Sequence, residues 1–261
     1  MAATKQTVIK AKAIKQDFMV GEEKVSVLKR ADFDLYNNSF NIIYGQSGSG
    51  KSTLLNILTG LQKPSAGEVN FEGENVYKLS ANDLAYFRAN RIGIVYQQNF
   101  WVKSLNVIDN ISIPLYFLGH SRGMAAKKAM AALERINMQG YAKKYPVMLS
   151  GGEQQRIALA RAIVNDPLFI IADEPTGSLD SNTGDMIMDL LYDMQTQEGR
   201  TIILVTHNME YLPFADHLLH ISDGVVEEIA EHNIKDATDV LVHNMRDRIT
   251  RLSKAKHEDR E

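Results

Sequence analysis

Cysteine is absent from the chain, which removes disulfides, thiolate metal sites and a cysteine nucleophile together and suits a reducing compartment. No apolar run approaches the roughly 18 residues of a membrane-spanning helix, so the chain is not expected to cross a bilayer alone. Neither sign of charge dominates: 29 Lys and Arg stand against 32 Asp and Glu, a net charge of −3, and nothing in that balance calls for a nucleic-acid or anionic-lipid partner. The opening segment carries Lys5, Lys10, Lys12 and Lys15 with no apolar stretch after them and does not read as a secretory signal. A cytosolic location is expected. Internal repeats and low-complexity stretches are also missing. What is present is an ordinary globular balance, 44% hydrophobic and 23% charged, which argues against extended disorder. At 261 residues there is room for one large α/β domain or two small lobes sharing a site.

Before Gly73 the chain alternates short β-type runs with turns, namely Val25 to Leu28, Ala31 to Leu35, and Phe40 to Tyr44 after Asn37-Asn38-Ser39. Beyond Gly45, Thr53 to Leu58 has the dense apolar spacing of a buried helix closed by Gly60. From about Asn99 to Ser150 a helical period dominates, with Ala125, Ala129, Leu133 and Ile136 three to four apart and Gly140 as the expected C-cap. This reads as an inserted helical subdomain. A helix from Glu153 to Val164, stopped at Asn165-Asp166-Pro167, precedes the apolar run Leu168 to Ala172, and Thr201 to Thr206 is a second such run; both suit strands buried on two faces. Leu218 to Ile221 and Val225 to Ile229 flank the hairpin turn Asp223-Gly224. Last, Val240, Leu241, Met245, Ile249 and Leu252 fall at helical spacing before a charged tail.

Between strand and helix lies Gly45-Gln46-Ser47-Gly48-Ser49-Gly50-Lys51-Ser52, followed by Thr53, in the G-x-x-x-x-G-K-[ST] spacing of a phosphate loop. Glycines let successive N–H groups and the positive end of the helix face a polyphosphate. Lys51 supplies a point charge and Ser52 a hard oxygen for Mg²⁺. About a hundred residues on, Ser150, Gly151, Gly152 and Glu153 open a second helix whose N-terminus is a further anion site. The strand Leu168 to Ala172 ends in the carboxylates Asp173 and Glu174, at the edge of the sheet where α/β ligands bind.

Leu149 to Arg156 resembles the signature sequence of the ATP-binding-cassette (ABC) ATPases, and the rest of that family's pattern follows in order across nearly the whole chain. The resemblance implies an α/β P-loop NTPase core with an N-terminal antiparallel β lobe and an inserted helical subdomain. The core and lobe would span about 5–97 and 159–229, the subdomain about 98–158, and a C-terminal extension 230–261. It implies ATP and Mg²⁺ as ligands, Asp173 as a metal holder directly or through water, and Glu174 as the group that polarises the attacking water. Gln97 matches the family's glutamine loop, Gln98 being the poorer match, and reaches metal and water. His207 matches the switch histidine. Ser178-Leu179-Asp180 looks like the loop linking two sites across a dimer, because the signature serves the γ-phosphate held by a second copy's P-loop. Phe18 falls where an aromatic stacks on adenine; its alternative reading is a core residue of the β lobe. Asn38-Ser39 replaces the family's usual Gly-Glu, a change that an Asn at positive φ tolerates, and Tyr44 is bulkier than the expected aliphatic residue. No catalytic position is degenerate, which argues against an inactive regulatory module.

The compact single cassette is similar to the separate ATP-binding subunit of a bacterial transporter, closest in its motifs to the lipoprotein-release and macrolide-export branch, which also includes a cell-division cassette. That resemblance implies integral membrane permease subunits as partners, no nucleic acid, and a peripheral place on the cytoplasmic face of the membrane. Phe100, Trp101, Leu105 and Val107 would form the partner's groove, unless they fill the subdomain's own core. A soluble, non-transport ATPase acting on DNA or ribosomes is the second reading.

Overall fold

The computed structural model describes residues 6–229; the C-terminal segment 237–252 expected to be helical lies outside the described residues. Ten strands form one curled sheet in the order β5-β4-β1-β2-β10-β9-β3-β8-β7-β6. Its central part is parallel: β3 (Phe40–Tyr44) runs between β8 (Thr201–Thr206) and β9 (His217–Ser222), and β8 continues to β7 (Phe169–Asp173) and β6 (Ile92–Val95). The other wing is antiparallel, with β1 (Thr7–Val20) between β2 (Glu23–Tyr36) and β4 (Ala66–Phe71), and β5 (Glu74–Asn75) at the edge. The hairpin of β9 and β10 (Val225–Ile229) turns on Asp223 and Gly224 at φ 48° and 77°. It joins the wings where Lys29 N donates to Gly224 O at 2.8 Å.

The central strands are largely apolar because both faces are covered, and successive side chains go to opposite cores. Phe40, Ile42, Ile170, Ala172, Ile202 and Leu204 enter the core shared with the long helices. Ile43, Phe169, Ile171, Ile203 and Val205 enter a second core beneath the antiparallel wing and α1 (Lys51–Leu58). Each such large side chain at about zero exposure contributes on the order of 1.5–3 kcal/mol. The runs at Val25 and Ala31 are not separate: they belong to the single strand β2, and its partner β1 has several irregularities of register that break the alternation a reader would look for.

Helices α3 (Val107–Phe117), α4 (Arg122–Arg135) and α5 (Gly151–Ile163) pack together over the first core, with α6 (Ser181–Thr196) beside β8. Gly140 does not cap α4. The helix ends at Arg135, and Asn137 takes φ 56° while Met138 N donates to Leu133 O at 2.9 Å and the Met138 side chain is buried. Asn accepts the left-handed turn, and the buried methionine closes it. Val107 likewise departs from expectation: it is 1% exposed at the start of α3, so it fills the subdomain core and is no part of a partner surface. Asn38 does adopt φ 50°, its N–H bonding Thr201 Oγ1 at 3.0 Å. The Tyr44 ring finds a place by stacking on His220 at 4.6 Å.

Candidate nucleotide site

The loop from β3 to α1 is shaped by glycines at two kinds of position. Gly48 and Gly50 hold φ 80° and 106°, while a Cβ on Gly45 would lie 2.2 Å from the Ile221 carbonyl oxygen. The first turn of α1 has no side-chain cap and no acidic residue, so its N–H groups are open to an anion. Lys51 is nearly buried; its Nζ donates to Gly45 O and Gln46 O, each at 2.9 Å, and lies 3.8 Å from Glu174 Oε1. Ser49 Oγ is buried without a hydrogen-bond partner among the described residues. Such a cradle, with an orphaned hydroxyl and a folded-back ammonium, fits a polyphosphate.

A cavity of about 500 Å³ opens above it, lined by Ser47, Ser52, Thr53, Gln97, Asp173 and Glu174 among others. Burial, then the neighbouring Glu174, pushes the Asp173 carboxyl above the ordinary aspartate range, and Lys51 offsets part of the rise. Ser52, Gln97 and Asp173 bring a hydroxyl, an amide and a carboxylate to one cavity, an all-oxygen donor set that suits Mg²⁺. Glu174 occupies φ 44°, a left-handed conformation costly for a residue with a Cβ, fixed by its N–H donating to Val205 O at 2.8 Å. From there its Oε2 meets His207 Nδ1 at 2.8 Å, so one carboxylate stands between Lys51 and His207. Gln97 reaches the same spot, since a Cβ on Gly177 would lie 3.1 Å from Gln97 Nε2 and 3.5 Å from Glu174 Oε2.

Glu174 and His207 also border a second cavity of about 340 Å³, together with Asp180 and Tyr211. Asp180 caps α6 by accepting from Thr183 N at 3.0 Å and Thr183 Oγ1 at 2.8 Å. Phe18 is 38% exposed, so it is not core; it pairs with Val25, two residues from Val27 on the wall of the first cavity.

The signature segment lies elsewhere. Ser150 and Glu153 form a reciprocal capping box on α5, Ser150 N donating to Glu153 Oε2 at 2.8 Å and Glu153 N to Ser150 Oγ at 3.3 Å. Gly151 approaches Leu179, and a Cβ on Gly152 would strike Thr183 Cγ2 at 2.3 Å. None of Ser150, Gly151, Gly152 or Glu153 lines either cavity. The chain therefore assembles Lys51, Ser52, Gln97, Asp173, Glu174 and His207, and leaves the signature apart.

One set of residues went unread in the sequence. Gln155 Nε2 donates to Tyr96 O at 3.1 Å, Gln154 Oε1 accepts from Trp101 Nε1 at 3.0 Å, and an Arg161 Nη2 N–H goes to Asn99 O at 2.6 Å. Helix α5 thus grips both sides of the segment carrying Gln97. The available signal was Gln155, a polar residue at 2% exposure among the apolar positions of α5.

The family model described as ABC transporter matches residues 28–177. The chain belongs to the ABC transporter family. This cassette is 34% identical to the lipoprotein-releasing system ATP-binding protein LolD of Shewanella sp. (strain MR-7), over 86% of the chain and 97% of that protein. It is 38% identical to the macrolide export ATP-binding/permease protein MacB of Agrobacterium fabrum, over 89% of the chain but 36% of that longer protein. Among solved structures, the cassette MJ0796 of Methanocaldococcus jannaschii, a dimer in a post-hydrolysis state bound to ADP and Pi, superposes with a TM-score of 0.79 at 36% identity, covering 85% of this chain and 98% of that one. The cassette is an ATP-binding ATPase of transporter type, with the P-loop α/β fold its motifs imply. Among the described residues no helix is long and apolar enough to cross a membrane.

Proposed function

We propose that two copies of the cassette close head to tail on Mg²⁺-ATP and drive a conformational change in integral membrane permease subunits, in a complex of the export or lipoprotein-release type at the cytoplasmic face of the membrane. The observation that carries this reading is the separation, within one chain, of the signature helix from the phosphate cavity. A second chain supplies the missing half of each site. The dimeric state named for MJ0796 and the membrane systems named for MacB and LolD support it.

In this reading Lys51 and the N–H groups of residues 45–53 hold the β- and γ-phosphates, and Phe18 stacks on adenine. Ser52, Asp173 and Gln97 would hold Mg²⁺, which when bound would neutralise phosphate charge. Glu174 accepts the proton of the attacking water, and His207, hydrogen-bonded to Glu174, orients that water and the γ-phosphate. Ser150, Gly151 and Gly152 offer N–H groups and a hydroxyl to the partner copy's γ-phosphate, while Glu153 braces that turn and Asp180 links the two sites. The core and β lobe, about 5–97 and 159–229, form one body, and the helical subdomain at 98–158 carries the motion outward. A groove of about 390 Å³ beside the Gln97 segment, walled by Tyr96, Phe100, Val102 and Pro114, receives the membrane partner.

The test is the association state of Glu174→Gln measured by light scattering. Mg²⁺-ATP is expected to convert monomer to stable dimer while turnover falls about 10²- to 10⁴-fold, the usual worth of a general base. A variant that stays monomeric with bound nucleotide, or hydrolyses at the parent rate, overturns the assignment.

A further inference from the structure

Arg161 is a partly buried cation with no counter-ion among the described residues. It lines the groove beside Tyr96, Phe100 and Val102, and burial lowers its pKa to about 10. A single N–H goes to Asn99 O at 2.6 Å, and the guanidinium lies 4.4 Å from the centroid of Trp101. Among the described residues no carboxylate pairs with it, whereas Arg200, likewise partly buried, pairs with Glu198 and Asp166, and even the exposed Arg135 pairs with Glu198. A guanidinium carries five N–H donors in a planar fork, so most of its capacity is unused. Taking a charge out of water without an opposite charge is costly. Here that cost falls on a residue lining a largely apolar groove.

We propose that the segment of the membrane partner seated in this groove carries an Asp or Glu whose carboxylate docks on the Arg161 guanidinium. The inference rests on the reading that the groove receives that partner, and it specifies the chemistry of the contact. The apolar walls take the flanks of the docking segment, and charge complementarity fixes its register. Because Arg161 also holds Asn99 and packs on Trp101, whose indole bonds Gln154, the incoming carboxylate acts on the segment carrying Gln97 without touching nucleotide. Arg161 is thus a positioning residue whose anion arrives with the partner.

A zero-length cross-link tests the contact. Arg161→Lys keeps the cation and introduces an amine that a carbodiimide couples to a carboxylate within contact distance. The variant, in a Glu174→Gln background, is incubated with detergent-solubilised membranes of its source and Mg²⁺-ATP, treated with carbodiimide, and analysed by peptide mass spectrometry. The expected result is an amide joining position 161 to an Asp or Glu of a co-purified multi-span protein. Val102→Lys, which leaves Arg161 in place and offers an amine from the exposed wall of the groove, is expected to reach the same acidic residue, and it decides the matter where Arg161→Lys does not fold. Capture of the membrane protein with cross-links elsewhere, at Lys103 for instance, but none from positions 161 or 102, overturns the carboxylate contact and leaves the groove reading standing. Failure of every form to capture a membrane protein overturns both.

Discussion

Lys51 bonds two carbonyls of its own loop while standing 3.8 Å from Glu174, an arrangement that holds the ammonium ready for a phosphate. Lys51→Ala is expected to weaken nucleotide binding about 10- to 100-fold, the range for losing a hydrogen bond to a charged group; calorimetric titration with ATP measures it, and unchanged affinity would remove Lys51 from its role. Asp173 poses the opposite case, since in the nucleotide-free chain its charge is an expense, raised by burial and by Glu174. Asp173→Asn is therefore expected to melt higher than the parent without nucleotide, by about 2–4 °C for each kcal/mol relieved, and to lose Mg²⁺-dependent turnover. A lower melting point would show that the ionised carboxylate stabilises the empty fold. Residues of this kind were legible in the sequence because the phosphate loop and the strand-end carboxylates are local patterns in which a few neighbours set the geometry. Gln154, Gln155 and Arg161 were not, because their partners Trp101, Tyr96 and Asn99 lie more than fifty positions away and only the packing of α5 brings them near.

At the scale of elements, the capping box of α5 ties the signature to the pH of its surroundings. The hydrogen bond from Tyr141, then that from the Ser150 N–H, holds the Glu153 carboxyl below its ordinary range. The folded chain thus binds this proton less tightly than the unfolded chain. The stabilisation is complete above the unfolded pKa and is lost as pH falls through the folded one. Urea titrations of Glu153→Gln against the parent should show a gap near neutrality that narrows in acid; a gap independent of pH would deny Glu153 the part. Ser150→Ala removes the other half of the box and is expected to cost about 1 kcal/mol, read from the same titrations, with an unchanged midpoint counting against the cap. Element positions were readable where one physical rule governed. The strand Thr201–Thr206 has both faces buried and the turn at Asp223-Gly224 has its own chemistry. The end of α4 was misread because two residues qualified for the left-handed position, and the burial of Met138 selected Asn137 over Gly140.

The whole molecule depends on a seam. Antiparallel wing and parallel core meet along β2 and β10, where a Cβ on Gly224 would stand 2.4 Å from Val27 O and the backbone already holds φ 77°. Gly224→Val is expected to destabilise the fold by more than about 1–2 kcal/mol, the cost of the left-handed backbone alone, and hydrogen exchange should localise the loosening to β2 and β10. Uniform protection with unchanged stability would mean that the seam is not a determinant. No sequence pattern disclosed this joint, since the order of strands in space depends on which edges meet after collapse. That order has a consequence for synthesis. Among the described residues the strands made last, β9 and β10, occupy the middle of the sheet between β2 and β3. As the chain leaves the ribosome, the nucleotide loop and both flanking half-sheets emerge with raw inner edges that have nothing to pair with but each other or a neighbouring polypeptide. The cassette acquires its sheet by insertion of the final hairpin, like a keystone, so the interval between translating residue 36 and residue 229 is its exposure to aggregation and to chaperones.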